Sequence, residues 1–166
     1  MSLAATLIQE LQMESATTRR VLERVPDAKL GWAPHAKSRT LGQLAMHLAS
    51  NPAGVTTLAS QNPADLPDVG DVDPTSIAEV LAALDASVAE ATRLLSGMSD
   101  EALAETWRAR VNGVEIMALP RITFLRSVLL NHWYHHRGQL SVYLRLLDVP
   151  LPSIYGPSAD ENPFAA

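Results

Sequence analysis

The 166-residue sequence contains no cysteine. Disulfide bonds are therefore excluded, and so are a cysteine nucleophile and thiolate ligands for a metal. A metal ion held by this chain would need histidine, carboxylate or water as its ligands. The sequence also lacks an uninterrupted apolar run of about 18 residues, so no transmembrane helix is predicted.

Concentrated positive charge is also missing, since 13 Lys and Arg residues face 18 Asp and Glu residues. Apart from short clusters such as Arg19-Arg20, the basic residues are dispersed, unlike the electrostatic footprint of a nucleic-acid-binding protein. Glu10 and Glu14 interrupt the N-terminal apolar pattern, so no signal peptide is predicted. We expect a cytoplasmic protein that binds neither nucleic acid nor membrane.

Ala and Leu dominate a composition that is 47 % hydrophobic, which favours helices. Residues 4–25 repeat apolar positions at helical spacing, and Pro26-Asp27 should end this first helix. Thr40-Leu41-Gly42-Gln43 has the form of a capping box and predicts a second helix towards Gln61. Pro52 should kink this helix.

Residues 62–75 contain three prolines and four aspartates and predict a crossover loop. Ser76-Ile77-Ala78-Glu79 is a second capping box, opening a helix to about Gly97. Ser99-Asp100-Glu101 should start a short helical turn.

Asn112-Gly113 lies between two short apolar runs and predicts a β-hairpin. Pro120 suits the first position of a last helix that runs to about Leu147. The proline-rich final twenty residues should cover the helices as an extended tail. The pattern predicts an all-α protein, a four-helix bundle with a small hairpin before the last helix. The length predicts a single domain over residues 1–166.

Three of the five histidines fall within residues 131–139. His132 and His136 are four residues apart in the last predicted helix, so their imidazoles share one face. Leu129 and Leu140 continue the same stripe, which indicates that both histidines point inwards.

His47 occupies an equivalent position in the second helix, between the core leucines Leu44 and Leu48. A histidine among leucines costs stability unless its ring nitrogens find partners. Three imidazoles from two helices could satisfy one another by sharing a metal ion, or each could bond separately to the backbone. Three protein ligands would leave coordination positions open, as in catalytic metal sites.

Residues near the three histidines have other predicted roles. His135 lies about 100° around the helix from His136, which favours packing or support over direct ligation. Gln139 either joins a network near the site or faces water. His35, in a proline-flanked loop, is an ordinary loop histidine or a fourth ligand. Gly138 suggests a close approach between helices.

Three segments together resemble the DinB-like (DinB/YfiT-type) superfamily over nearly the whole chain. The first segment is Trp32-Ala33-Pro34-His35-Ala36-Lys37-Ser38, which leads into Leu41-Gly42-Gln43-Leu44-Ala45-Met46-His47-Leu48. The second is Asn131-His132-Trp133-Tyr134-His135-His136-Arg137-Gly138-Gln139. The third is the tail, residues 152–161. The resemblance implies an up-down-down-up four-helix bundle, often a homodimer. It also implies a divalent metal held by His47, His132 and His136, commonly nickel or zinc, with iron or manganese as further candidates.

The same resemblance suggests a metal-dependent enzyme that acts on a small molecule, with thiol S-transfer as one activity. Because the chain has no cysteine, a low-molecular-weight thiol would have to be a co-substrate. Tyr155 and Asp160 of the tail could help to close the pocket. The alternatives are metal-assisted hydrolysis and a non-enzymatic metal-binding sensor or dimerisation module. No catalytic base is identified.

Overall fold

The computed structural model describes residues 2–68 and 70–165, which form a mostly helical structure with one small sheet. The helices are α1 (Leu3–Leu22), α2 (Leu41–Ser60), α3 (Ile77–Ser96), α4 (Asp100–Ala104), α5 (Arg121–Phe124) and α6 (His132–Leu146). The strands are β1 (Ala64–Asp65), β2 (Thr106–Val111) and β3 (Val114–Pro120). Residue 69 of the predicted crossover loop and residue 166 of the predicted tail lie outside the described residues.

The first helix ends earlier than predicted. α1 stops at Leu22, and the Val25 N–H closes a turn on the Leu22 carbonyl. Pro26 explains this end, because it has no N–H to donate to the Leu22 carbonyl four residues earlier. Val25 is nevertheless buried, so the apolar pattern continues past the helix itself.

The capping residues start α2 and α3 where predicted. The Gln43 N–H donates to the Thr40 hydroxyl, and the Thr40 N–H donates to the Gln43 side chain, which completes the first capping box. At α3 the Glu79 N–H donates to the Ser76 hydroxyl, but the Glu79 carboxylate accepts from Thr75 instead of Ser76. The second box is therefore half formed, because Thr75 offers both its N–H and its hydroxyl.

The Asn112-Gly113 hairpin is confirmed, with β2 antiparallel to β3. Asn112 and Gly113 have φ values of 52° and 78°, the left-handed conformations that a two-residue hairpin turn requires. The sheet has a third strand, because β1 pairs in parallel with β2. A two-residue strand inside a proline-rich loop has no detectable alternation, so the sequence did not predict it.

The last helical stretch departs from a uniform α-helix. Pro120 was predicted at the first helical position, but it is the last residue of β3 and the N-cap residue of α5, which begins at Arg121. A π-helical turn follows at Leu125–Asn131, and α-helical geometry resumes at His132. A π-helical turn shifts the backbone bonding pattern by one residue and often marks a functional site. The Asn51 side-chain amide of α2 donates to the Leu129 carbonyl of this turn at 3.1 Å.

α2 is the central packing element. It packs against α3, the π-helical turn and α6, while α1 packs mainly on α3. Trp107 and Trp133 are the largest side chains of the buried core. Over residues 2–68 and 70–165, no helix has both the length and the apolar character needed to cross a membrane. α2 and α6, which carry the three predicted site histidines, are therefore direct neighbours.

The segment after α6, residues 147–165, contains no helix or strand and includes several turns; it lies against the helices as predicted, but it is not extended throughout. Arg20 forms an ion pair with Glu161, and Arg145 forms one with Asp160. These contacts hold the tail against α1 and α6.

Two glycines have opposite surroundings. A Cβ on Gly42 would lie 3.1 Å from the Leu30 carbonyl oxygen and 3.2 Å from Cδ of Pro74, so glycine permits close packing at the start of α2. A Cβ on Gly138 would meet no atom within 4 Å. The predicted close helix contact at Gly138 is therefore wrong, since this residue faces open space.

Replacing Gly138 by Ala should stabilise the protein by about 0.5–1 kcal/mol, because glycine loses more backbone entropy in a helix. Urea unfolding should show a higher midpoint with an unchanged slope. Gly42→Ala is the matched control and should lower the midpoint. A lower midpoint for Gly138→Ala would contradict the open surroundings of that residue.

Candidate metal centre

One hydrogen bond aligns α2 with α6. Pro52 lies inside α2 and has no N–H, so the Leu48 carbonyl lacks its usual helical donor. The Trp133 indole N–H donates to this carbonyl at 2.7 Å. Because Leu48 follows His47 and Trp133 follows His132, the bond sets the axial position of one histidine relative to the other.

The structure brings the three predicted histidines together. The Nε2 atom of His132 lies 3.1 Å from Nε2 of His47 and 2.9 Å from Nε2 of His136. Ring nitrogens of all three lie within 4.8 Å of one another. His136 is buried, and His47 and His132 are partly buried.

Three neutral imidazoles cannot satisfy all the close nitrogen contacts of the cluster by hydrogen bonding alone. Nδ1 of His136 lies 2.6 Å from the Gln139 side-chain oxygen, so it carries the proton and Nε2 is bare. His132 Nε2 can direct a single proton at one neighbour, although it contacts two. A cation between the three nitrogens would remove this conflict, because each ring could then offer a lone pair.

The spacing of these donors fits a divalent transition metal. Imidazole nitrogens bound at about 2.1 Å, with angles of about 90–110°, lie about 3.0–3.4 Å apart. The separations of His132 Nε2 from the other two Nε2 atoms, 2.9 and 3.1 Å, are close to this range. The bond from His136 to Gln139 is also the kind of contact that orients a metal-binding imidazole. The three histidines could therefore hold a metal ion.

The electrostatic surroundings keep the imidazoles neutral. Burial and, after it, the positive charge of Arg39 lower the pKa of His47 to about 4. Burial also lowers the pKa of His136 to about 4, against the opposing effect of its bond to Gln139. The pKa of His132 is lowered mainly by burial and then by His135. Neutral imidazole is the form that binds metal ions.

Two cavities adjoin the cluster. One of about 520 Å³ touches His136; its other lining residues are Ala36, Lys37, Ser38, Arg39, Gln43, Leu44, Asp71, Gln139 and Tyr143. Another, of about 670 Å³, touches His47 and follows the outer side of α2 past Gly54 and Leu58. A small molecule could therefore approach the imidazoles through either cavity.

His135 and Gln139 both lie near the cluster. The His135 ring centroid is 5.0 Å from that of His136, but the side chain is exposed and is not among the converging rings. Gln139 bonds to His136 and lines the smaller cavity.

His35 and Tyr155 lie away from the converging nitrogens. His35 is exposed, and its Nδ1 accepts from the Lys37 N–H at 3.1 Å. The Tyr155 hydroxyl donates to Glu14 at 2.9 Å and accepts from Arg137, on the α1 side of α6. Neither lines the two cavities beside the histidines, and Asp160 lies with Arg145 instead.

Several supporting residues had no predicted role at the site. They are Asn51, Pro52, Trp133 in its hydrogen-bonding role, Arg39 and Asp71. Pro52 could have indicated one of these contacts, because a proline inside a helix leaves the carbonyl four residues earlier without a donor.

Known proteins with a similar sequence or fold point to one family. The sequence model of the DinB superfamily matches residues 10–140. The uncharacterized protein YrdA of Bacillus subtilis (strain 168) is 28 % identical over 154 residues, covering 93 % of this chain and 89 % of YrdA.

Two solved structures are similar in fold. A DinB-like protein from Bacillus cereus ATCC 10987 has a TM-score of 0.70 at 21 % identity, covering 90 % of this chain and 95 % of that one. The DinB-like protein YjoA of Bacillus subtilis has a TM-score of 0.67 at 13 % identity, covering 90 % of this chain and 97 % of that one.

The lowered histidine pKa values predict a loss of stability in mild acid for the metal-free protein. The unfolded chain takes up histidine protons below about pH 6.5, whereas folded His47 and His136 stay neutral to about pH 4. Stability present above pH 6.5 should therefore fall as the pH drops from 7 to 5.5. Thermal unfolding with EDTA should show a shallower fall for His47→Gln, and equal slopes would contradict this account.

Replacing Trp133 by Phe should destabilise the protein by about 1–3 kcal/mol, since the buried Leu48 carbonyl would lose its donor. Trp107→Phe is the matched control, because the Trp107 indole donates to the Leu58 carbonyl at 3.1 Å, away from the histidines. Both variants should unfold at lower urea concentration. Only Trp133→Phe should also weaken binding of added Ni²⁺ in calorimetry; an equal loss in both variants would refute the alignment role.

Proposed function

We propose, on the premise that the chain belongs to the DinB superfamily, that it is a metal-dependent enzyme acting on a small molecule. His47, His132 and His136 would hold the metal. The observation that carries the proposal is the convergence of three neutral imidazoles from two helices beside an accessible cavity. Three protein ligands leave room for a substrate in the coordination sphere.

When bound, such an ion supplies Lewis-acid chemistry, lowering the pKa of a water or thiol and polarising a substrate oxygen. The surrounding side chains act by position. The Gln139 side-chain oxygen accepts a hydrogen bond from Nδ1–H of His136, which leaves Nε2 of His136 unprotonated and able to bind a metal ion. Trp133 holds α6 against α2, and the low histidine pKa values keep protons from competing with the ion.

Transfer of an external thiol is the reaction that we favour. In the described residues the cluster itself contains only histidines, and Asp71, the carboxylate that lines the adjoining cavity, is paired with Arg39. A thiol loses its proton more easily than water does. Its sulfur would form a bond to an electrophilic carbon of the second substrate, whose leaving group departs with the bonding electron pair while the thiol proton passes to solvent.

Other features of the proposal follow from the superfamily. We propose a four-helix bundle of up-down-down-up type, formed by the four long helical segments as one domain, and a homodimeric assembly. Nickel and zinc are the favoured ions, because imidazole suits both and cellular supply decides between them. The cytoplasmic location and the absence of nucleic-acid binding stay predictions.

Replacing His136 by Ala should abolish metal binding and leave the helical content unchanged, because one of three ligands is lost. Elemental analysis of the purified proteins and circular dichroism measure the two effects. His135→Ala is the matched control and should retain the metal, since its exposed ring lies outside the cluster. Full metal content in His136→Ala would refute the proposed site.

The reaction itself can be tested with the metal-loaded protein and a panel of electrophiles, assayed with and without a low-molecular-weight thiol. Turnover that requires the thiol supports transfer. Turnover without thiol would instead favour the hydrolytic alternative.

A further inference from the structure

The cavity beside His136 is bordered by unequal charge. Residues 36–39, in the loop before α2, form one side of it, and Lys37 and Arg39 belong to this stretch. Asp71 is the one carboxylate among its described lining residues. The imidazole of His136, which is neutral, also lines this cavity, so cations outnumber anions among the lining residues even before a metal ion is bound.

Arg39 is held in place with most of its donors available. Its Nε donates to Oδ1 of Asp71 at 2.6 Å, and its side chain is 33 % exposed. Within residues 2–68 and 70–165, neither terminal nitrogen of Arg39 has a hydrogen-bond acceptor. A fixed guanidinium with two available nitrogens matches the paired oxygens of a carboxylate or phosphate.

The start of α2 cannot provide this anion site through its backbone. The first three N–H groups of the helix already donate to the carbonyls of Trp32 and Leu30 and to the Thr40 hydroxyl. The start of this helix therefore leaves the binding of an anion to other groups that line the cavity, among which Arg39 and Lys37 are the cations. Arg39 is also close enough for its charge to lower the pKa of all three histidines.

We propose that Arg39, assisted by Lys37, binds an oxyanion group of the substrate, a carboxylate or a phosphate, while the rest of the molecule extends towards the histidine cluster. The substrate class would then be small anionic compounds. As a substrate subsite this assignment rests on the proposed metal-dependent function, but binding of the anion itself requires no metal.

The test is an NMR titration of the metal-free protein with acetate and, separately, with methylphosphonate, at ionic strength held constant with sodium chloride. Saturable shifts should appear at the backbone amides of residues 36–44 and at Gln139. The anion that binds more tightly identifies the group as carboxylate or phosphate.

Charge variants identify the binding residue. Arg39→Gln should weaken binding of the anion by about tenfold or more, the effect expected when a hydrogen bond to a charged group is lost. Asp71→Asn should leave binding intact or strengthen it, because a competing carboxylate is removed. Arg19→Gln is the matched control, since Arg19 also pairs with an aspartate, Asp85, beside a cavity of about 520 Å³ that no histidine lines.

Absence of saturable shifts with either anion would overturn the proposal, and so would equal weakening by Arg19→Gln. Equal weakening by Asp71→Asn and Arg39→Gln would also contradict the proposal, because the Arg39–Asp71 ion pair would then serve only to hold the crossover loop in place. Metal content of the wild-type protein separates the two proposals. Metal uptake without anion binding refutes the subsite alone, whereas anion binding without metal uptake refutes the enzyme proposal and leaves the anion site standing.

Discussion

The geometry of the histidine cluster depends on the hydrogen bond from the Trp133 indole to the Leu48 carbonyl. Each partner stands one residue after a histidine of the cluster, so a slip between the two helices would change the separation of the imidazoles directly. One residue of helix spans about 1.5 Å, enough to take a ring out of reach of a shared ion. The bond is buried, where an unpaired carbonyl would be costly, and this favours a single alignment.

Both helices that carry the cluster are irregular where they face each other. α2 loses a backbone bond at Pro52, and the stretch before His132 is π-helical. The Leu48 carbonyl, which Pro52 leaves without a helical donor, accepts from the Trp133 indole, and the Leu129 carbonyl of the π-helical turn accepts from the Asn51 amide. Side-chain hydrogen bonds between the helices thus form where the helices are irregular. The residues that make these bonds also set the positions of the imidazoles.

The features that could be predicted from the sequence are those that neighbouring residues determine. The hydroxyl of Thr40 and the turn at Asn112-Gly113 act within four residues, so their positions could be predicted. The mostly helical fold, the hairpin and the superfamily are confirmed, and the three predicted histidines do lie together. β1 and the Arg39–Asp71 pair depend on partners distant in the chain, which no periodicity encodes. The empty space around Gly138 likewise depends on what other segments leave uncovered.

Pro52 also has a consequence for how such a sequence can change over time. Any other residue at this position would restore an amide proton, which could reclaim the Leu48 carbonyl for its own helix and leave the Trp133 indole unpaired. Loss of the tryptophan alone would leave the Leu48 carbonyl without a hydrogen-bond donor, because Pro52 has no N–H. Positions 52 and 133 are therefore coupled through the Leu48 carbonyl, because a substitution at either one changes which N–H groups can donate to it.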